Sequence, residues 1–223
     1  MTLQSTLQAK LEAGLLEMGL QLNPEKQAKL IAYVLLIDKW NKVHNLTAIR
    51  DPLEMVTLHL LDSLSVLPHV QSLAPKYLLD VGAGAGLPSI PLAICLPELQ
   101  VIAIDSVTKK TSFMRQVKGE LGLGNFYVEA GRVEALKKER FNQGEGFDVI
   151  ISRAFSEIAL FIALTKHLLA ENGQWLAMKG VVPDHEFESQ DFKESGVQPS
   201  KIEVLKVAGL DAERHLVFLS MNK

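Results

Sequence analysis

The sequence predicts an α/β fold: a doubly covered sheet of six parallel strands plus one antiparallel strand, preceded by a helical extension. Three observations predict it. From about residue 76 onward, short apolar strands alternate with helical segments, which is the pattern of a parallel sheet with crossover helices on both faces. A turn with glycine at alternate positions, Gly82, Gly84 and Gly86, directly follows the first of these strands. The last two strands are joined only by AGLDAER, which is short enough for a hairpin and makes the seventh strand antiparallel.

The chain divides near residue 75 into a helical segment, 1–75, and the sheet-forming segment, 76–223. Leu3, Leu7, Leu11, Leu15 and Met18 recur at helical spacing over 3–19. Asn23-Pro24-Glu25 reads as an N-cap, a first-turn proline and an early acid. The helix it opens runs to about His44 with Leu30, Val34, Ile37 and Val43 on one stripe. Asp51-Pro52 opens a third helix over about 53–70, carrying Leu53, Val56, Leu60, Leu64 and Leu67, and Ala74-Pro75 closes the segment. Strands are expected at 77–81, 100–105, 125–129, 147–152, 174–179, 201–207 and 215–220. Helices are expected at 88–96, 108–121, 132–139, 156–170 and 184–191.

Composition narrows the function classes. With 223 residues, 48% of them hydrophobic, the chain can bury a good core. The runs YVLLI and IALFIAL are too short to span a bilayer. The first residues lack a basic start and an apolar signal core, so a cytoplasmic location is expected, with no membrane association. Cys95 stands alone, which excludes an internal disulfide. The six histidines are scattered, so no metal site is expected. No G-x-S-x-G or phosphate-binding loop motif occurs. A net charge of −3 argues against a generally basic coat. Screening over about 10 Å leaves a local basic face possible.

The glycine turn says which ligand to expect. Leu78, Leu79 and Val81 read as a buried strand with Asp80 near its end, and Pro88 suits the first turn of the next helix. A dinucleotide fingerprint requires glycine at the sixth position counted from Gly82, and Leu87 stands there. D-x-G-x-G-x-G is instead the pattern of Rossmann-like methyltransferases that use S-adenosylmethionine (SAM). In an open α/β sheet the ligand lies outside the carboxyl ends of the strands. Asp105, at the end of the second strand, could accept from both ribose hydroxyls or cap the 108–121 helix. After the third strand, Gly131-Arg132-Val133-Glu134 could hold the adenine edge and face; Glu134 could equally be a first-turn acid. Arg153, ending the fourth strand, could pair with a carboxylate or with RNA phosphate, and Lys179 ends the fifth strand similarly. Lys109, Lys110, Arg115 and Lys118 share one helix and, with Arg132, Arg153 and Lys179, could form a basic rim for RNA. His59 and Asp62 share a helical face and are expected to be a hydrogen-bonded pair at a helix–helix contact.

Taken in order, KWNKVHNLTAIRDPLEM, HLLDS, DVGAGAGLPSIPLAI, IDSVTKKTSFMRQV, GRVEAL, ISRAF and MKG resemble the bacterial RsmG (GidB) family over about residues 25–220. That resemblance implies a SAM-dependent methyltransferase acting on N7 of a guanosine in 16S ribosomal RNA, within the small subunit or its precursor. It implies cofactor contacts from Gly82 and Leu87 in the first loop, from Val133 and Glu134 on the adenine side, and from Arg153 near the methionine end; Asp80, Gly84 and Gly86 of the same strand and turn are expected to bind the cofactor as well. The family often carries glycine where Ser89 stands here. Guanine N7 has an in-plane lone pair and no proton, so no general base and no catalytic residue is expected. A monomer is expected at this size. Two other readings fit the same turn: a small-molecule methyltransferase, and a SAM-sensing protein without turnover. Leu87 argues against a nicotinamide dehydrogenase.

Overall fold

The structure, a computed structural model, describes residues 2–153 and 155–222. It opens with α1 (Leu3–Glu17) and α2 (Pro24–His44). Asn23 caps α2 by accepting from the Lys26 N–H, and Asn45 ends it in a left-handed conformation. The expected single helix over 53–70 is interrupted. It consists of α3 (Pro52–Met55), a π turn (Val56–Leu61) and α4 (Asp62–Leu64), and α5 (Leu67–Leu73) then starts anew with Pro68 in its first turn. A proline lacks the N–H that would continue the preceding helix, so the break falls there.

The sheet contains β1 (Tyr77–Val81), β2 (Gln100–Asp105), β3 (Phe126–Ala130), β4 (Phe147–Arg153), β5 (Leu169–Lys179), β6 (Val197–Val204) and β7 (His215–Met221). Their order is β3-β2-β1-β4-β5-β7-β6. β1 to β5 pair in parallel, and β7 runs antiparallel between β5 and β6. Six strands thus share one direction and β7 opposes them, as the short last connection predicts.

Crossover helices α6 (Ser89–Cys95) and α7 (Thr108–Leu121) follow β1 and β2, and α8 (Ile158–Thr165) follows β4. Beyond β5 come α9 (Asp184–Phe187) and α10 (Gln190–Glu194), where the sequence predicts one helix over 184–191. The expected helix over 132–139 is absent; two separate 3-10 turns, Val133–Ala135 and Lys138–Arg140, take its place. α8 is shorter than 156–170, because a 3-10 turn at Lys166–Leu168 feeds directly into a longer β5.

Alternation along the strands sends side chains to two apolar clusters, one on each face. Leu78, Val101, Val149 and Leu176 join one cluster, which also takes in Leu7, Leu30, Val34 and Leu60 of the helical segment. Leu79, Ile102, Ile150 and Trp175 join the other, with Phe161 of α8 and Phe192 of α10. The helical segment therefore shares a core with one face of the sheet. Polar contacts fix α2 there as well. Lys26 Nζ donates to Cys95 O at 2.8 Å, Tyr33 Oη to Ala85 O at 2.8 Å, and Lys109 Nζ to His44 O at 2.9 Å.

Candidate active site

The chain reverses after Val81 through three residues with positive φ: Gly82 at 69°, Gly84 at 63° and Gly86 at 93°. L side chains rarely adopt such angles. The turn hangs from the end of β2, because the N–H groups of Gly82 and Ala83 both donate to Ile104 O, at 2.9 and 3.2 Å. Asp105 fastens it further. One carboxylate oxygen accepts from Gly84 N–H at 2.9 Å and the other from Val107 N–H at 2.8 Å, while Lys110 Nζ stands 3.6 Å away. From the opposite side, the buried Tyr33 hydroxyl holds the turn by Ala85 O. Burial raises the pKa of this phenol well above its ordinary value, so it remains a donor.

A cavity of about 410 Å³ opens beside this turn, outside the carboxyl ends of β1, β2 and β3. Gly82, Asp105, Lys110, Arg132, Val133 and Glu134 line it; the sequence reading assigns Gly82, Asp105, Val133 and Glu134 to the cofactor and Lys110 and Arg132 to RNA. A Cβ on Gly82 would meet no atom within 4 Å, so the backbone there is bare toward open space. Val133 supplies a buried apolar surface. A nucleoside ligand needs such a set: an acceptor for ribose hydroxyls, an apolar face for a base, and backbone a flat group can approach. Among the described residues no group of three metal-ligating side chains forms, and no helix is long and apolar enough to cross a membrane.

Several other expected residues stand behind the cavity wall. Asp80 is fully buried, and its Oδ2 accepts from Ser89 N–H at 3.2 Å at the start of α6. Oδ1 has no partner, and burial pushes the carboxyl up to about 7. Asp80 thus ties β1 to α6 rather than facing the cavity. Gly84 and Gly86 shape the turn, and Leu87 packs into the core shared with the helical segment. Pro88 precedes α6 as its N-cap residue, outside the first turn. Arg153 bonds through Nη1 to Asp62 Oδ2 at 2.8 Å and to Leu58 O at 3.1 Å, which is the carboxylate alternative of the two open to it. His59 and Asp62 do not bond to one another. His59 Nε2 meets Thr47 Oγ1 at 3.1 Å, and Asp62 takes Arg153 and Arg214 instead.

The expected basic rim is only partly free. Arg115 is exposed on α7, and Arg132 is exposed with Glu134 at 3.4 Å. Lys118 lies over the Tyr127 ring, 4.4 Å from its centroid. Lys109 is spent on the α2 carbonyls, and Lys179 forms an ion pair with Glu186 at 2.8 Å. Sequence reasoning missed Phe155 and Leu164 as cavity walls and Tyr33 as a brace. The place of Phe155, just past the end of β4 within ISRAF, was the available signal. Nothing local distinguishes Tyr33 from any other aromatic on an apolar helix face.

This strand order, with a glycine turn and an acid at the ends of β1 and β2, defines a Rossmann-like methyltransferase fold. It is similar to an O-methyltransferase from Bacillus cereus in complex with SAH, with a TM-score of 0.60 at 16% identity over 99% of this chain and 100% of that one. It is equally similar to a putative O-methyltransferase from Klebsiella pneumoniae, with a TM-score of 0.60 at 14% identity and full coverage of both chains. Sequence likeness is closer. The proteins called ribosomal RNA small subunit methyltransferase G are 60% identical in Methylobacillus flagellatus, over 96% of this chain and 98% of that one. In Neisseria meningitidis serogroup A the identity is 48%, over 95% and 97%. The GidB family model, rRNA small subunit methyltransferase G, matches residues 26–217, and the chain belongs to that family.

Proposed function

We propose that this protein transfers the methyl group of SAM to N7 of a guanosine in the 16S RNA of the small ribosomal subunit or its precursor. The observation that carries the reading is the cavity at the ends of β1 to β3, built on a chain of this family. Its residues fit the cofactor. Asp105, fixed by two backbone N–H groups, keeps lone pairs for the ribose hydroxyls. Val133 offers a face to adenine beside Glu134, and Gly82 lets the ligand approach the backbone.

Bound SAM supplies an electrophilic methyl on a sulfonium. The protein's task is positioning, since the N7 lone pair attacks directly and no proton leaves that atom. Orientation and a preorganised electrostatic setting are then the sources of rate. Arg115, Arg132 and Lys110 are the cations best placed to meet RNA phosphate, being exposed or at the cavity. Lys109 and Lys179 serve the fold first.

The test is methyl transfer from labelled SAM to small subunits prepared from a strain lacking this gene, followed by digestion and identification of the labelled nucleotide. Label in N7-methylguanosine is expected. Cofactor binding without transfer to RNA would favour a small-molecule substrate or a sensing role.

A further inference from the structure

Phe155 is, among the described residues, the one aromatic side chain lining the cavity. It lies just past β4, across β1 from the strands that carry Asp105 and lead to Val133. Its ring is half-buried and rests on Phe161 of α8, with centroids 5.3 Å apart. The short connection that carries it is held by an ion pair. Lys179 Nζ, at the end of β5, donates to Phe155 O at 3.3 Å, to Ser156 O at 3.4 Å and to Glu186 Oε1 at 2.8 Å. The other Glu186 oxygen accepts from Ile158 N–H at the start of α8. Both ion-pair side chains are only 13% exposed.

A buried ion pair is a weak source of stability, since desolvation offsets most of its attraction. What this pair does achieve is geometric: three hydrogen bonds fix the backbone from Phe155 to Ile158, and a fourth joins the two side chains. We propose that Phe155 stacks on the guanine that receives the methyl group, and that Lys179 and Glu186 are positioning residues for that ring. The inference rests on the N7-guanosine reading above and names the group that would hold the base.

The chemistry gives the stacking a catalytic component. As the N7 lone pair forms the new C–N bond, the C–S electron pair stays on sulfur, and the positive charge passes from the sulfonium to the purine. A purine on a phenyl face is neutral at the start and cationic at the end. The electron-rich face therefore attracts it more strongly as the reaction proceeds, and only an interaction that strengthens toward the transition state accelerates the step. A base taken out of its stack also needs a replacement surface, which aromatic side chains supply.

The experiment is single-turnover methylation of saturating small subunits, with SAM affinity measured in parallel by calorimetry. Phe155→Leu keeps the bulk and removes the π face. It is expected to slow transfer roughly tenfold while SAM affinity stays within about twofold, and Phe155→Tyr is expected to restore the rate. The double variant Lys179→Met/Glu186→Leu removes the ion pair without leaving a lone buried charge. It should slow transfer similarly, and adding Phe155→Leu to it should cost nothing further, because the two changes act through one ring. A Phe155→Leu rate equal to wild type overturns the inference, as does a parallel loss of SAM affinity, which would assign the ring to the cofactor. Additive losses would overturn the positioning role. A wild-type chain that forms no N7-methylguanosine would instead sink the reading on which this rests.

Discussion

Asp62 is shared by two arginines, one ending β4 and one just before β7: Arg153 Nη1 on one oxygen at 2.8 Å, Arg214 Nε on the other at 2.9 Å. Asp62 is 4% exposed, and its carboxylate joins α4 to the end of β4 and to the residue before β7. Removing it leaves two part-buried cations with only backbone carbonyls as partners. Asp62→Ala is expected to lower stability by about 3 kcal/mol, as for a broken buried pair. Arg214→Met should cost clearly less, because Arg153 still neutralises the acid. Urea denaturation of the two variants tests this, and equal losses would refute it.

Tyr33→Phe deletes one oxygen and leaves Ala85 O without its donor. The expected cost is about 1–2 kcal/mol for an unsatisfied buried acceptor. Because that carbonyl belongs to the glycine turn, SAM affinity should fall with it. A destabilised variant with unchanged affinity would show that the brace does not shape the cavity.

Gly86 combines a φ of 93° with close packing, since a Cβ there would come within 2.3 Å of Ile90 Cδ1. Gly86→Ala should lose at least about 2 kcal/mol from strain and overpacking together. Adding Ile90→Ala removes the clash but not the strain, so recovery should be incomplete. Thermal denaturation of the single and double variants distinguishes the two contributions.

Two buried groups give opposing pH dependences. Burial raises Asp80 from 3.8 to about 7, so between those values the folded chain keeps a proton that the unfolded chain releases, and stability falls as pH rises. Burial lowers His59 from 6.5 to about 4, so between those values the unfolded chain holds a proton that the folded chain lacks, and stability rises with pH. Over their common window the slopes, about 1.4 kcal/mol per pH unit each, largely cancel. Asp80→Asn should therefore unmask a rising stability from pH 4 to 6.5, and His59→Gln a falling one from pH 4 to 7. Chemical denaturation across that range is the check, and parallel curves for both variants would contradict it.

The basic side chains should separate by role. Arg115→Gln with Arg132→Gln is expected to weaken subunit binding and reduce its salt slope by about 1–2. Lys109→Gln should mainly reduce stability, since its ammonium caps α2. A salt slope unchanged in the arginine double variant would remove those residues from the interface.

Where the sequence was legible, a strong local pattern coincided with tertiary structure. Leu78–Val81, the three glycines and Asp105 lie where strand periodicity and turn chemistry put them. The seventh strand's direction followed from a seven-residue connection. β6 begins at Val197 instead of 201 because it is an edge strand with mostly exposed side chains, which leaves no apolar run to read. β5 starts early through Glu171-Asn172-Gly173, a polar stretch that resembles a loop; there a Cβ at Gly173 would meet Phe147 O at 2.7 Å. The pairings of Arg153 with Asp62 and Lys179 with Glu186 bring together residues from different elements, and no local signal encodes them.

The hydroxyl of Tyr33 and the carbonyl of Ala85 are 52 positions apart in sequence. No α2 side chain lines the cavity, yet α2 grips the turn whose first residue, Gly82, does. Anything that pulls on the helical segment has a mechanical route to that turn one hydrogen bond long. The two halves of the chain are in that sense a single instrument: the half that closes the core also sets the shape of the turn beside the ligand.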